Sequence, residues 1–123
     1  MVTKSSPRSV EDTVARLRGI VEEKNLKLFA VFDHSGEAAA HGLELRDTKV
    51  VVFGNPVAGT PVMAAVPEAA LDLPLKVLVW DDGGQTKVAY TSPAELAERY
   101  GLDDELAGHL AAIEPITDAL VAP

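Results

Sequence analysis

The sequence predicts an α+β fold, in which an antiparallel sheet of about four to five strands carries helices on one face. The chain has 123 residues, of which 47% are hydrophobic, and such a chain can bury a core of its own. Short apolar runs bounded by turn residues predict strands, and amphipathic stretches that follow cap residues predict helices. Their order is (β)αββαββαα, and no linker divides residues 1–123, which we expect to form a single domain.

The N-terminal third predicts an edge strand, a helix and a buried strand. Residues 2–5 are expected to form the edge strand. The helix begins after the cap residue Ser9 and ends near Asn25, because apolar residues between them recur every three or four positions. Leu26 to Asp33 follows as a strand whose two faces are both largely apolar. One face is expected to carry Leu28, Ala30 and Phe32, and the other Lys27, Phe29 and Val31.

The middle of the chain predicts a short connection, a second buried strand and a helix. Glu37 to Gly42 is rich in small residues and is expected to form about one helical turn. Lys49 to Phe53 is again apolar on both sides. Thr60 is a candidate N-cap and Pro61 suits the first helical position, while Pro67 should kink or restart this helix.

The last third predicts a hairpin followed by helices. Strands Leu75 to Trp80 and Gln85 to Thr91 are joined by Asp81-Asp82-Gly83-Gly84, with glycines where positive φ is needed. Trp80 and Tyr90 are candidates to meet across this hairpin, and the alternative is that they pack in the core or in a dimer interface.

Two helical stretches complete the chain. Ser92-Pro93 with Glu95 predicts a capped helix that ends at Gly101. A final helical segment is expected from Asp103 to Ala122, bent or divided at Pro115.

The composition excludes several classes of function. The net charge of −8 and the absence of clustered Lys and Arg disfavour nucleic-acid binding. The chain has no cysteine, which excludes disulfides, thiolate zinc sites and thiol catalysis. Because neither a signal peptide nor a membrane-spanning run is visible, we expect a cytoplasmic protein without membrane partners and without a cofactor.

The strands also predict how the chain associates. Helices can cover one face of the sheet, and strands that are apolar on both sides need a cover for the other face as well. A second copy packed sheet to sheet about a two-fold axis would supply it, and we therefore expect a homodimer. In the alternative, the C-terminal helices cover the second face within one protomer.

Taken together, several segments resemble the domain of unknown function 302 family. The resemblance covers about residues 2–110 and implies a small α+β domain, usually dimeric, without an established reaction. A histidine at the position of His34 is frequent in that family. The segments that carry the resemblance are Ser9–Val14, Phe32–His34, Gly42–Leu45, Phe53–Pro56, Gly59–Met63, Ala70–Asp82 and Ser92–Leu102.

Asp33 and His34 follow the strand that starts at Leu26, where polar residues often line a site. His34 is a candidate acid, base or ligand-binding group, and the alternative is a histidine hydrogen-bonded in a loop. His41 lies seven residues further on and could join Asp33 and His34 as a metal ligand, although no helical His-x-x-x-His pair exists. We therefore expect no metal site.

Gly54, Asn55, Gly59 and Thr60 form the turn after the second buried strand. Backbone N–H groups there could hold an anion, but the sequence lacks the Gly-Lys-Ser/Thr ending of a phosphate-binding loop. The alternative is a structural corner. Asn55 and Thr60 are the candidate ligand-binding residues of this segment.

Asp72 lies between Leu71 and Leu73, where a buried carboxylate would have a raised pKa and could serve as a general acid or base. We favour the alternative that it caps a turn through its own backbone.

The leading hypothesis is a dimeric domain that binds a small ligand in a cleft near His34 and Asn55, with Asp33 and Thr60 beside them. The second hypothesis is a small enzyme that uses His34 as general acid or base with Asp72 or Asp33 as partner. The third is an interaction module without a ligand.

Overall fold

The computed structural model describes all 123 residues and contains five strands, six α-helices and one 3₁₀ helix, Pro67–Asp72. The strands are β1 Val2–Ser6, β2 Lys27–Asp33, β3 Thr48–Gly54, β4 Leu75–Asp82 and β5 Gln85–Tyr90. The helices are α1 Val10–Glu23, α2 His34–Ala40, α3 Pro56–Ala65, α4 Pro93–Tyr100, α5 Asp104–Gly108 and α6 Ile113–Val121.

All five strands form one antiparallel sheet in the order β1-β5-β4-β3-β2. The predicted α+β class and the predicted edge strand are confirmed. The β4–β5 hairpin turns at Gly83 and Gly84, whose φ angles are 62° and 96°, so both residues need the freedom of glycine.

Helices α1 and α6 lie on one face of the sheet. Ser9 caps α1 as predicted, since its hydroxyl accepts the Asp12 N–H at 3.0 Å. The apolar face of α1 packs onto the buried side chains of β3 and β4, among them Val51, Phe53 and Val77. Burial of these side chains stabilises the fold by about 1.5–3 kcal/mol each.

A β-bulge in β2 changes the predicted arrangement of its side chains. Leu28 pairs with Phe53, whereas Ala30 and not Phe29 takes the next register position, opposite Val52. The bulge inserts Phe29 as an extra residue, so Leu28 packs into the core on the same side as Val31. The predicted alternation of β2 is therefore wrong at Leu28, because strict period 2 fails across a bulge.

The opposite face of the sheet, which we call the open face, carries apolar side chains that α1 and α6 do not cover. Phe32 is 53% exposed, and Val50, Leu78 and Trp80 are partly exposed. Strand register places Trp80 beside Lys87 on this face, whereas Tyr90 is buried in the core and is 3% exposed. The predicted contact between Trp80 and Tyr90 is wrong, because the two rings lie on opposite faces.

A second, smaller hydrophobic cluster lies around α3, α4 and α5. Its buried members are Val62, Ala69, Leu96, Leu102 and Leu110. Helix α4 has the predicted capping box and ends at Gly101, whose φ is 64°.

Helix α3 begins earlier than predicted. Asn55 is its N-cap and Pro56 its first residue, while Thr60 and Pro61 lie inside the helix. The Thr60 hydroxyl donates to the Pro56 carbonyl at 2.6 Å instead of capping. The chain thus contains two cap–proline pairs five residues apart, and the first one starts the helix. The 3₁₀ helix does begin at Pro67, as expected of a helix restart.

The C-terminal segment is divided before Pro115, not at it. Helix α5 ends at Gly108 and α6 begins at Ile113, so Pro115 lies in the first turn of α6, where a missing N–H costs nothing. The connection between the two helices, residues 109–112, lies next to α3.

Helix α2 is also longer than the single turn expected within Glu37 to Gly42. It starts directly at His34 and buries none of its residues.

Candidate functional site

A cavity of about 370 Å³ lies where β3 runs into α3. Its walls come from four separate parts of the chain: the start of β2, the β3–α3 corner, the segment that leads into β4, and residues 109–112. The residues that line it are Leu26, Phe29, Gly54, Asn55, Pro56, Ala58, Gly59, Thr60, Met63, Leu73, Pro74, Leu75, His109, Leu110 and Ala112.

The lining is mostly apolar and contains no Asp, Glu, Lys or Arg. Three polar side chains lie among the apolar ones: Asn55, Thr60 and His109. This composition is typical of small-molecule sites, in which a few polar groups orient a ligand within an apolar cavity.

Local structure fixes the polar groups on α3. The Asn55 side-chain oxygen accepts the Val57 N–H at 2.9 Å, which orients the amide and leaves its NH₂ group unused. The Thr60 hydroxyl donates to Pro56, so only its lone pairs remain available. Neither ring nitrogen of His109 forms a hydrogen bond within the chain, although its backbone N–H bonds to Leu106.

The start of α3 is not an anion site. Pro56 has no N–H, and the next three N–H groups are all satisfied by Asn55. The Val57 N–H donates to the Asn55 side-chain oxygen. The N–H groups of Ala58 and Gly59 donate to the Asn55 backbone carbonyl at 3.0 and 2.9 Å. The hypothesis of an anion held by these amides is therefore wrong, and the structural-corner alternative describes the turn.

The bulge in β2 brings Phe29 to the cavity. Phe29 is 43% exposed, and the Lys27 ammonium lies 5.0 Å from the centre of its ring. Bulges often re-aim a side chain near a functional site, and this one places an aromatic ring in the cavity wall.

Asp33 and His34 lie at the other end of β2. The Asp33 carboxylate caps α2, accepting the Gly36 N–H at 2.9 Å and the Ser35 hydroxyl at 2.8 Å. These two donors lower the pKa of Asp33. The His34 side chain is exposed and makes no hydrogen bond within the chain. The alternative of a histidine hydrogen-bonded in a loop is therefore wrong as well, since His34 begins α2.

Strand register separates Asp33 and His34 from the cavity. Asp33 pairs with Lys49, and Asn55 lies six residues further along β3, which corresponds to roughly 20 Å. The prediction of one cleft joining His34 to Asn55 is therefore wrong. The structure brings Asn55 and Thr60 together and leaves Asp33 and His34 outside.

The region of His34 does not form a metal-binding cluster either. The Nδ1 atom of His41 lies 3.1 Å from the Glu37 carbonyl, which ties this ring to α2. No three His, Asp or Glu side chains anywhere in the chain are grouped as metal ligands would be.

Asp72 is held by side chains of α4. Its carboxylate accepts hydrogen bonds from the Tyr100 hydroxyl and, at 2.8 Å, from Arg99 Nη1. Tyr100 and then Arg99 lower the pKa of Asp72, so the expectation of a raised pKa is wrong. The predicted turn at Asp72 is not observed, because Oδ2 accepts both bonds from side chains of α4 and neither carboxylate oxygen accepts a backbone N–H.

His34 and Asp72 are also far apart. Asp72 lies just before the start of β4. His34 follows the last residue of β2, which lies near the end of β4, so the two residues are at opposite ends of the sheet. The structure does not bring them together as an acid–base pair.

Among the aromatic and polar residues of the cavity, Phe29 and His109 are not marked by any pattern in the sequence. Phe29 enters the wall only because of the bulge. His109 falls within the helical segment predicted from Asp103 to Ala122, whereas in the structure it follows the end of α5.

Comparison with known proteins gives relatives that are longer than this chain. The chain is similar to proteins named "Fluoride-specific ion channel FluC 1" from Brucella suis biovar 1 and Brucella abortus biovar 1, with 36% identity over 103 residues in each. The match covers 83% of this chain but 41% and 38% of those proteins, so the chain spans about two fifths of their length. No helix in the structure combines the length and apolarity needed to cross a membrane.

Among solved structures, the fold is similar to that of an uncharacterised conserved DUF302 protein from Bacillus stearothermophilus. The TM-score is 0.81 at 21% sequence identity, and the alignment covers 98% of this chain and 94% of the other. The model of the domain of unknown function DUF302 matches residues 2–120. The chain therefore belongs to the DUF302 family.

Proposed function

We propose that this chain is a non-catalytic domain that binds a small organic molecule in the cavity beside α3. The observation that carries the proposal is the cavity itself, about 370 Å³ in volume, with eight hydrophobic residues among the fifteen that line it. Its volume lies at the lower end of the range of ligand sites, which suits a small molecule.

The polar groups of the cavity favour binding over catalysis. His109 is the only titratable side chain in the lining, and no carboxylate lies there to act as its partner. General acid–base catalysis needs proton-transfer groups within reach of the substrate, and usually a second group that orients the first. The alternative of an enzyme built on His34 also lacks support, because Asp72 lies elsewhere and Asp33 caps α2.

The fluoride named for the Brucella relatives does not suit this cavity. A small anion must exchange its hydration for N–H donors or cations. The amides at the start of α3 are already paired, and neither Lys nor Arg lines the wall. An organic ligand matches the apolar lining better.

The proposal is tested by a thermal-shift screen of small metabolites, with sodium fluoride included, on the wild type and on Gly59→Leu. A Cβ at Gly59 would lie 3.8 Å from the Met63 Cε, so a leucine side chain would extend into the cavity. Glycine is the poorest helix former after proline, so the substitution should leave α3 folded. We expect compounds that stabilise the wild type to lose their effect on this variant.

Gly19→Leu is the matched control. Gly19 lies in α1, is exposed, and would place its Cβ in open space. This variant should respond to ligands as the wild type does. A shift that persists in Gly59→Leu, or the absence of any compound that stabilises the wild type, would contradict the proposal.

We propose as well that two copies of the chain associate through their open faces. The observation that supports this proposal is the apolar patch formed by Phe32, Val50, Leu78 and Trp80. Lys76 and Lys87 lie on the same face beside these side chains, so the face combines apolar and charged groups, as protein interfaces do.

The size of the open face is also consistent with a dimer of modest affinity. Five strands spaced about 4.8 Å apart, each about five residues long, span a flat area of about 400 Å² per protomer. The side chains add relief to this area, which brings the pair close to the roughly 1,000 Å² of a specific interface. We therefore expect a dimer at micromolar concentrations.

Light scattering coupled to size exclusion tests the dimer on the wild type and on Trp80→Glu. A charge at Trp80 should yield a monomer, because an unpaired charge in an apolar interface is costly. Leu71→Glu is the control, since Leu71 is 84% exposed in the 3₁₀ helix away from the sheet. A wild type of 13.0 kDa at micromolar concentration would contradict the proposal.

A further inference from the structure

We infer that the molecule bound in the cavity is uncharged and mostly apolar, with one hydrogen-bond acceptor that the Asn55 amide binds. This inference rests on the proposed function and specifies the class of ligand. It follows from three features of the cavity: its charge, the orientation of its polar groups, and its volume.

The absence of charge in the wall excludes ionised ligands. None of the lining residues is Asp, Glu, Lys or Arg. A carboxylate or ammonium group placed against leucine, proline and methionine side chains would lose part of its hydration without gaining a counter-charge. The nearby cation, Lys27, lies over the Phe29 ring and does not line the cavity.

The orientation of Asn55 decides which polar group of the ligand it can bind. Because its side-chain oxygen is committed to the Val57 N–H, Asn55 presents its NH₂ group and acts as a donor. The ligand therefore needs an acceptor at this point, such as a carbonyl or ether oxygen. Thr60 offers only lone pairs, and His109 can donate through one nitrogen.

The volume limits the size of the ligand. About 370 Å³ corresponds to the space of about a dozen water molecules, at about 30 Å³ each. A molecule of roughly nine to fifteen non-hydrogen atoms would fit such a cavity. Medium-chain ketones and esters, and neutral aromatic carbonyl compounds, belong to this class.

The test compares three probes of similar length that differ in charge: 2-octanone, octanoate and octylamine. Each is titrated into the ¹⁵N-labelled protein, and the amide shifts of the residues around the cavity are followed. We expect 2-octanone to bind at least tenfold more tightly than either ion, and Gly59→Leu to abolish its binding.

Asn55→Asp tests the donor directly. Aspartate is as good an N-cap as asparagine, so α3 should remain folded, while the NH₂ donor becomes a carboxylate oxygen. We expect this variant to bind 2-octanone about tenfold more weakly than the wild type and to bind octylamine more tightly. Asn25→Asp makes the same change at an exposed residue after α1 and should behave as the wild type.

The outcomes separate this inference from the proposed function. If octanoate or octylamine binds the wild type as tightly as 2-octanone and Gly59→Leu abolishes that binding, the cavity is a site but the ligand class is wrong. Unchanged 2-octanone affinity in Asn55→Asp would likewise overturn the role of the amide. If no probe binds the wild type, the inference fails, whereas the proposed function fails only if the metabolite screen also finds no compound that stabilises the wild type.

Discussion

At the scale of single residues, Asp72 shows how a side chain isolated in sequence can be fixed by a distant helix. Its position between two leucines predicts either a buried acid or a residue that caps a turn. Its partners, Arg99 and Tyr100, lie 27 and 28 residues further along the chain. No local pattern reveals these donors, which is why the predicted direction of the pKa shift was wrong.

We predict that Asp72→Asn lowers the free energy of unfolding by about 1 kcal/mol near neutral pH, because the charge-assisted bonds to Tyr100 and Arg99 are weakened. The folded-state pKa of Asp72 is lowered below 3.8. Its stabilising contribution is therefore complete above that value and is lost as the pH falls through the lower, folded-state pKa. Urea unfolding of both proteins at about pH 7 and about pH 2 measures the difference.

The difference between wild type and Asp72→Asn should shrink at the acidic pH. Comparing the two proteins removes the contributions of Asp33 and Glu95, whose pKa values are also lowered and which both proteins share. Tyr100→Phe, which removes the donor with the largest effect, should reproduce part of the loss. An unchanged difference at both pH values would contradict the role of the charged form.

The predicted site residues also depend on contacts between distant parts of the chain. Asn55 and Thr60 were predicted as ligand-binding residues from the turn in which they lie, and both do line the cavity. Asp33 and His34 were predicted from the end of a strand, and a strand has two ends. The sequence identifies polar corners, but only the register of β2 and β3 shows which corners share an end of the sheet.

At the scale of secondary structure, α3 contains a proline at an interior position, where proline destabilises a helix. Pro61 is the sixth residue of the helix, past the first turn, so it removes the hydrogen bond that its N–H would have donated to the Val57 carbonyl. Pro56, at the first position, removes nothing, because that N–H has no partner in any helix. The two prolines of one helix should therefore respond oppositely to replacement.

We predict that Pro61→Ala raises the free energy of unfolding by about 1–2 kcal/mol. Alanine restores the missing helix hydrogen bond, while the flexibility that it adds to the unfolded chain offsets part of the gain. Pro61 is exposed, so little packing is lost. Urea unfolding at neutral pH measures the change.

Pro56→Ala is the control in the same helix and should be neutral or slightly destabilising. A loss of stability in Pro61→Ala would contradict this account of α3. It would mean that the ring of Pro61 supports the helix through contacts of its own.

Element boundaries divide into those that local chemistry decides and those that it does not. Ser9, Ser92 and Gly101 were identified correctly, because each cap bonds within its own helix. The bulge at Phe29 and the break at residues 109–112 depend on packing between elements, and no spacing in the sequence marks them. The cavity lies where these two unpredicted features meet, so its full lining could not be predicted.

At the scale of the whole molecule, the antiparallel sheet and the helical face followed from the apolar pattern of the strands. That pattern also left one face of the sheet with apolar side chains, and the structure shows that α1 and α6 cover only the other. The apolar open face favours association and the negative net charge opposes it, so the proposed dimer should depend on the salt concentration.

Each protomer carries a net charge of −8, so Coulomb repulsion opposes the association of two copies. The open face itself carries an apolar patch, and its attraction does not depend on ion pairs. Salt screens the repulsion, since the Debye length falls from about 30 Å at 0.01 M to about 8 Å at 0.15 M ionic strength. We therefore predict that the dimer fraction rises with salt over this range, as measured by sedimentation equilibrium. Leu71→Glu should follow the wild type and Trp80→Glu should stay monomeric at both ionic strengths, whereas a dimer that dissociates as salt is added would identify an interface held by ion pairs and contradict association through the apolar sheet face.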